Sequence, residues 1–214
     1  MRILALGDLH SDETLIERIP EAVGRTSPDA VVFLGDFTNW GPVSYVEDVL
    51  KCVGNVKTYG IFGNADSREV RALIEKGKIG IHLKVADLGE GWKIAGFGGS
   101  RASIGTPNEF PEEEIYRGLG GIEIGPRTIL ATHSPPYSVD SLDSPRPGIH
   151  AGSTSIRRII EERQPALNLC GHIHEKQGQA RIGKTLVVKV GAAQYGQAAL
   201  VEMGKGIKVS FIEF

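Results

Sequence analysis

Short apolar runs, each closed by a glycine and a polar residue and followed by apolar positions three to four apart, organise the first third of the chain. Arg2 to Leu6 ends at Gly7-Asp8, and Leu15, Ile16 and Ile19 then fall at helical spacing in a segment that Ser11 or Asp12 can cap and that runs to about Gly24. The unit recurs as Ala30 to Leu34, Gly35-Asp36 and a helix near Val43 to Val53, and again as Val56 to Phe62, Gly63-Asn64 and a helix near Ser67 to Lys76. Strands alternating with helices predict an α/β sheet, and open sheets of that kind bind ligands beyond the carboxyl ends of their strands.

From Ile79 the texture changes. His82 to Leu88 and Trp92 to Phe97 alternate as antiparallel strands do, with a turn at Gly89 to Gly91. Pro111 to Leu119 predicts a short helix, Thr128 to Thr132 a buried strand ending at His133, and residues 134 to 152 a Ser/Pro-rich loop long enough to be functional. A helix over Ser153 to Arg163 and a strand over Ala166 to Cys170 follow, and Lys184 to Phe214 reads as strands with a hairpin at Gly204-Lys205-Gly206. No linker or repeat interrupts the pattern, so 1–214 reads as one domain.

Composition narrows the function classes. With 24 Lys+Arg against 26 Asp+Glu, the net charge of -2 leaves no broad footprint of nucleic-acid or anionic-membrane binding. No apolar stretch is long enough for a spanning helix, the N-terminus does not complete a signal-peptide core, and the two cysteines, Cys52 and Cys170, read as buried small side chains in a reducing compartment. The expectation is a cytoplasmic protein. The Gly-rich stretches Gly60 to Gly63 and Gly96 to Ser100 lack the spacing and lysine of a nucleotide-binding phosphate loop.

The polar residues at the strand ends are Asp8 and His10, Asp36, Asn64, His133, and His172 with His174. In Asp8-x-His10 and His172-x-His174 the i, i+2 spacing points both side chains the same way from extended backbone, as chelation requires. Four of the six histidines belong to this set. Standing alone, Asp8 or Asp36 would read as a helix cap or turn residue. Imidazole with carboxylate and amide, and no thiolate, suits Mn, Fe, Zn, Ni or Co.

The order Asp-x-His, Gly-Asp, Gly-Asn-x-Asp, His and Gly-His-x-His, spanning Asp8 to His174, resembles the calcineurin-like metallophosphoesterase superfamily. The resemblance implies a four-layer α/β/β/α sandwich of two mixed β-sheets flanked by helices. It further implies two divalent ions, manganese first, with Asp8, His10, Asp36 and His174 around one and Asp36, Asn64, His133 and His172 around the other. Asp36 would bridge them, and Asp36 and Asn64 would also serve catalysis, an in-line attack by a metal-held hydroxide without a phospho-enzyme. The implied partner is a small-molecule or nucleotide phosphoester, with oligomeric state left open.

One departure from the pattern matters. Many members read Gly-Asn-His-Asp/Glu where this chain reads Gly63-Asn64-Ala65-Asp66, and alanine cannot donate a proton to a leaving group. That points to a phosphodiesterase or a narrow-substrate phosphomonoesterase. A protein-binding scaffold resembling the retromer subunit of this superfamily is the alternative from another class, and a nuclease would need a basic groove that the sequence does not display. His150, before a helix whose N-terminal amides could meet a phosphate, is the best candidate for a substitute acid, its other reading being an ordinary loop residue. His82 reads as structural, Trp40 and Tyr45 as rim or core aromatics that could stack on a base, and Glu112-Glu113-Glu114 as the solvated start of a helix. Arg157, Arg158 and Arg163 read as a solvated face, and Arg101 and Arg146 as loop cations near the cleft.

Overall fold

In β1 (Arg2–Leu6) successive side chains serve two cores: Ile3 and Ala5 face one way, Leu4 and Leu6 the other, and all four are fully buried. A strand with both faces covered reads as a continuous apolar run. The computed structural model describes residues 1–214. β1 pairs in parallel with β2 (Ala30–Leu34), which pairs in parallel with β3 (Lys57–Ile61). On its other side β1 meets β12 (Gln197–Met203) antiparallel, and β12 forms the C-terminal hairpin with β13 (Ile207–Glu213).

The second sheet runs in the order β10 (Gly178–Ile182), β11 (Thr185–Lys189), β9 (Leu167–Cys170), β8 (Thr128–Thr132), β5 (Trp92–Phe97) and β4 (Val85–Gly89). Its four inner strands are parallel and its two edge strands antiparallel. Ile3, Ala5, Val32 and Leu34 of the first sheet pack with Ile94, Ile129, Ala131 and Leu169 of the second in one core between them. Helices α1 (Leu15–Thr26), α2 (Val43–Cys52) and α3 (Arg68–Lys76) pack as one group, and α4 (Glu112–Gly120) with α5 (Thr154–Arg163) as another. Their apolar stripes join Leu4, Phe33, Leu130 and Val187 in the second core. The sandwich of two mixed sheets flanked by helices is therefore observed.

Several local expectations need correction. α1 begins at Leu15 behind Thr14, not at a cap on Ser11 or Asp12; the Asp12 carboxylate accepts from Thr14 N (2.9 Å) in the turn before the helix, which runs on to Thr26. Cys170 is buried, but Cys52 is only half-buried. Strand β10 and the two-residue pair β6 (Ser100–Arg101) and β7 (Glu109–Phe110) are additions that the sequence pattern does not reveal. Glu112 is not simply solvated: its carboxylate accepts from Ser153 Oγ (2.7 Å), Thr154 N (3.0 Å) and Ser155 N (2.9 Å). A carboxylate thus occupies the positive end of α5, and the amides expected to meet a phosphate are already engaged. No helix is long and apolar enough to cross a membrane.

Candidate metal centre

Because β1, β2 and β3 are parallel, as are β8 and β9, the residues that follow them emerge at the carboxyl ends of two facing sheets. His133 joins the sheets directly, its Nδ1 lying 2.8 Å from the Leu34 carbonyl. All seven residues read from the sequence are drawn into this edge. Asp8, His10 and His174 form one group with ligand atoms within 4.8 Å of one another, and Asp36, His133 and His172 form another. Asn64 adjoins the second group, with Oδ1 2.8 Å from His133 Nε2.

Asp36 links the groups. Its Oδ1 accepts from Ala65 N at 2.7 Å, while Oδ2 lies 3.8 Å from His10 Nε2 and 3.4 Å from His133 Nε2, one nitrogen of each group. Asp8 Oδ1 lies 3.5 Å from His174 Nε2, which faces His10 Nε2 at 3.0 Å. The two chelating pairs do not project from extended backbone as their spacing predicts: they lie past the ends of β1 and β9, where Asp8 (φ 58°), His10 (φ 51°) and His172 (φ 72°) are left-handed, as is Asp36 (φ 50°). Such strain in non-glycine residues costs on the order of 1–3 kcal/mol each and collects at functional sites. Gly63 is required by crowding, since a Cβ there would run into Asp36 Oδ1.

Charge is compensated within the cluster. Burial alone would raise the Asp36 carboxyl, but His133 and then His10 outweigh it and hold the group at about 2. Burial opposes protonation of His133, yet Asp36 and Asp8 lift it to about 9. In partly buried His172, desolvation and the charge on His133 push the imidazole down to about 4. Burial opposes the net shift in the outer pair as well, with His174 lowering Asp8 and Asp8 raising His174.

The donor set fits divalent cations. The Leu34 carbonyl can only accept, so His133 keeps a hydrogen on Nδ1, and the proton that Asp36 and Asn64 hold on Nε2 is the one a cation would displace to use that nitrogen as a ligand. The Asn39 amide oxygen, 2.5 Å from His10 Nδ1, keeps a hydrogen there in the same way and leaves His10 Nε2 toward the cluster. The Gln194 amide meets His174 Nδ1 at 3.3 Å. Two carboxylates, one amide oxygen and four imidazoles then converge without thiolate.

A supporting layer leaves no mark in the sequence. Asn64 Nδ2 donates to Thr106 Oγ1 (3.1 Å), which donates to Glu109 Oε1 (2.8 Å), and this fixes the Asn64 amide with its oxygen toward the cluster. Glu109 also accepts from the backbone N–H groups of Ser103, Ile104, Gly105 and Thr106. Fully buried Asp66 accepts from Gly63 N, Thr38 N and Thr38 Oγ1, clamping the loops after β2 and β3; burial and then Asp36 push its carboxyl up to about 7. Asn108 Nδ2 donates to Gly63 O (3.0 Å) and Asp66 O (2.7 Å). Lys189, fully buried at the end of β11, donates to Lys176 O just past His174. The contacts of Asn64 with Thr106, Thr38 with Asp66, and Asn108 with Gly63 and Asp66 join segments distant along the chain, so no spacing rule signals them, whereas those of Glu109 with 103–106 and of Asp66 with Gly63 are local turns.

The remaining expectations divide. His82 is structural: Nδ1 accepts from Gly98 N (2.9 Å) among Phe62, Phe97 and Phe110, and burial pushes it down to about 4. Tyr45 is a core residue whose hydroxyl donates to Asp12 O (2.8 Å), so it stacks on nothing external, whereas Trp40 is exposed and its backbone N–H donates to Ala65 O (2.9 Å). Arg158 pairs with Glu162 one turn on and Arg163 is exposed, as a solvated face requires. Half-buried Arg157, besides pairing with Glu161, donates from Nη1 to Tyr137 O (2.9 Å) and Ser138 O (2.8 Å) and so holds the loop after β8. Arg101 Nε donates to Ala151 O (3.2 Å), beside His150, which contacts Asp143 and Tyr137 rather than the seven clustered residues.

The sandwich with two groups of metal-binding side chains at one strand edge defines the class of metal-dependent phosphoesterases. The chain belongs to the calcineurin-like phosphoesterase family, whose model matches residues 1–176. It is 34% identical over 204 residues to an uncharacterized protein of Methanocaldococcus jannaschii, covering 91% of this chain and 90% of that one. Among solved structures it resembles a protein of Thermus thermophilus (TM-score 0.78, 18% identity, 99% of this chain and 98% of that one). It also resembles a dimetal phosphatase from Danio rerio (TM-score 0.67, 10% identity, 100% and 98% of the two chains).

Proposed function

We propose that the protein is a two-metal-dependent phosphodiesterase that hydrolyses a small-molecule or nucleotide phosphodiester. In this reading Asp8, His10, Asp36 and His174 hold one ion, and Asp36, Asn64, His133 and His172 hold the other, with manganese the first choice. Bound there, the ions supply Lewis-acid activation of water and neutralise charge on the phosphoryl oxygens. The observation that carries the reading is Asp36 Oδ2, poised between His10 Nε2 and His133 Nε2, where one oxygen can serve both ions.

The chain's own groups favour a diester. Asp36 is held by the Ala65 amide and Asn64 by Thr106, so both present oxygen to the cluster without rearranging. Ala65 offers its backbone N–H only to Asp36 and brings neither a proton donor nor a cation to the substrate. A diester carries one negative charge less than a monoester dianion and asks less of that side of the site.

Initial rates on bis-p-nitrophenyl phosphate and p-nitrophenyl phosphate, with Mn²⁺ returned to chelator-stripped protein, test the reading. Metal-dependent turnover of the diester at least about tenfold above the monoester is expected, because both release the same aryl group and Ala65 brings no donor or cation for the additional charge of the monoester dianion. Folded protein that binds two ions and turns over neither ester would overturn the enzyme reading in favour of the protein-binding scaffold.

A further inference from the structure

Two loops that leave strand ends at the metal centre border a cavity of about 460 Å³ whose wall is polar apart from Pro145 and Pro147. Arg146 and His150 line it from the loop after β8, and Glu175 and Lys176 from the segment after β9. Both walls are tied to the cluster by the chain. The first loop departs from His133 and closes where Ser153 N donates to Pro135 O (2.9 Å) and Tyr137 N donates to Ser153 O (2.9 Å). Glu175 directly follows His174, about 3.8 Å away along the Cα trace.

Inside the loop lies an oriented pair. Asp143 is fully buried and accepts from Ser138 N (2.8 Å) and Gly152 N (3.4 Å), and its Oδ1 takes the Nδ1 hydrogen of His150 at 2.9 Å. The carboxylate can only accept, so Nε2 points away from it, and no protein group hydrogen-bonds to Nε2. The Tyr137 ring, 5.3 Å from the imidazole, limits its rotation. Burying a carboxylate in a surface loop is unfavourable unless it is fully partnered, and holding an imidazole in one tautomer is what proton transfer requires. Arg146 and Lys176, whose side chains form no ion pair, add positive charge, while Asp140 and Glu175 supply acceptors for sugar hydroxyls.

We infer that this cavity is the leaving-group subsite of the phosphodiester reaction, that it takes an alcohol bearing a second phosphate, such as a nucleotide, and that His150 Nε2 protonates the departing oxygen. The inference rests on the phosphodiesterase reading above. As water adds to phosphorus and the bond from phosphorus to the leaving oxygen breaks, the Nε2 proton passes to that oxygen. The proton released by the water restores the imidazolium through solvent. The products are a phosphomonoester and an alcohol, and the acid enters from a loop that owes nothing to the position of Ala65.

The test compares three esters on metal-loaded protein: bis-p-nitrophenyl phosphate, whose leaving group departs without protonation, the dinucleotide TpT, and pTpTp with a phosphate at each end. H150A is expected to lower kcat on TpT by about 10²–10⁴-fold, at least tenfold more than on the aryl diester. H150N keeps an N–H for Asp143 but has no group in place of Nε2, so it should behave alike if H150A fails to fold. R146A is expected to raise KM for pTpTp about tenfold more than for TpT. Equal losses on the alkyl and aryl esters in folded H150N, or equal KM changes for the two dinucleotides, would overturn the subsite. So would unsubstituted protein that cleaves the aryl diester but neither dinucleotide. Absence of metal-dependent turnover of the aryl diester would instead overturn the phosphodiesterase reading and the subsite with it.

Discussion

The group around Asp36 and the group around Asp8 are held differently, and the difference shows in what orients His133 in the first and His10 with His174 in the second. His133 has no exposed side-chain surface and is fixed by the backbone carbonyl of Leu34, which belongs to β2 in the core. His174 is 27% exposed, and the outer pair is oriented by side-chain amides, Asn39 from the loop after β2 and Gln194 from a one-turn 3-10 helix at Ala193–Tyr195. The inner geometry is therefore settled when the sheets close, whereas the outer geometry depends on groups that can rotate away. A cation at the inner group should leave slowly, and one at the outer group should exchange.

The largest expected effect removes the residue the two groups share. Asp36→Asn should reduce metal-dependent turnover by more than about 100-fold, the upper end for losing an outer-shell partner, and should bring the calorimetric stoichiometry below two ions. Two ions bound normally would break the comparison, because the groups would then be independent. Gly63→Ala comes next. Its Cβ would collide with Asp36 Oδ1 and Asp36 N, so urea unfolding should show a loss of about 1–3 kcal/mol or more, together with weakened binding at both groups.

Thr106→Val keeps the shape but removes the hydroxyl between Asn64 and Glu109. Affinity should fall about 10–100-fold at the inner group alone; equal weakening at both sites in a metal titration would show that Thr106 merely shapes the loop. Stepwise chelation followed by spectroscopy of a Co²⁺-substituted protein should empty the outer group first, and simultaneous loss would erase the distinction. The smallest effect concerns acid. Glu109 is depressed to about 2 from its ordinary 4.5, since its hydrogen bonds to the Ser103–Thr106 loop outweigh burial. Its stabilisation is therefore fully present above 4.5 and lost as pH falls through about 2. Glu109→Gln should flatten that part of the acid-unfolding profile by less than about 1 kcal/mol, because the group is open to solvent and screened.

The frame and the seven clustered residues were legible because both follow local rules. Apolar runs such as Ala30 to Leu34 must be buried strands, and Asp36 or His172 can follow them only at the edge where parallel strands end. What escaped was long-range and polar. Nothing near Glu112 announces that its carboxylate will meet the start of α5, more than forty residues later. Thr106, Asn108 and Lys189 likewise gain their roles from loops that approach only after the sheets have packed. The short strands β6 and β7 are too brief to leave a periodic signal. His150 stands out by its place in the order of histidines, but its carboxylate partner does not, since Asp143 looks like an ordinary turn residue until its burial is known.

The excursion between Pro135 and Ser153 starts and ends at a narrow neck and holds Asp143 and His150. It is anchored to the frame by buried Val139 and Leu142 and by Arg157 Nη1, which donates to Tyr137 O (2.9 Å) and Ser138 O (2.8 Å). An imidazole and the carboxylate that aims it thus travel on one loop. Under the proposed subsite, a different loop between the same neck residues would change which alcohols are released, provided it refilled the places of Val139 and Leu142 in the core. In such a chain, substrate range can drift through a single insertion or exchange while the metal-binding frame stays as it is.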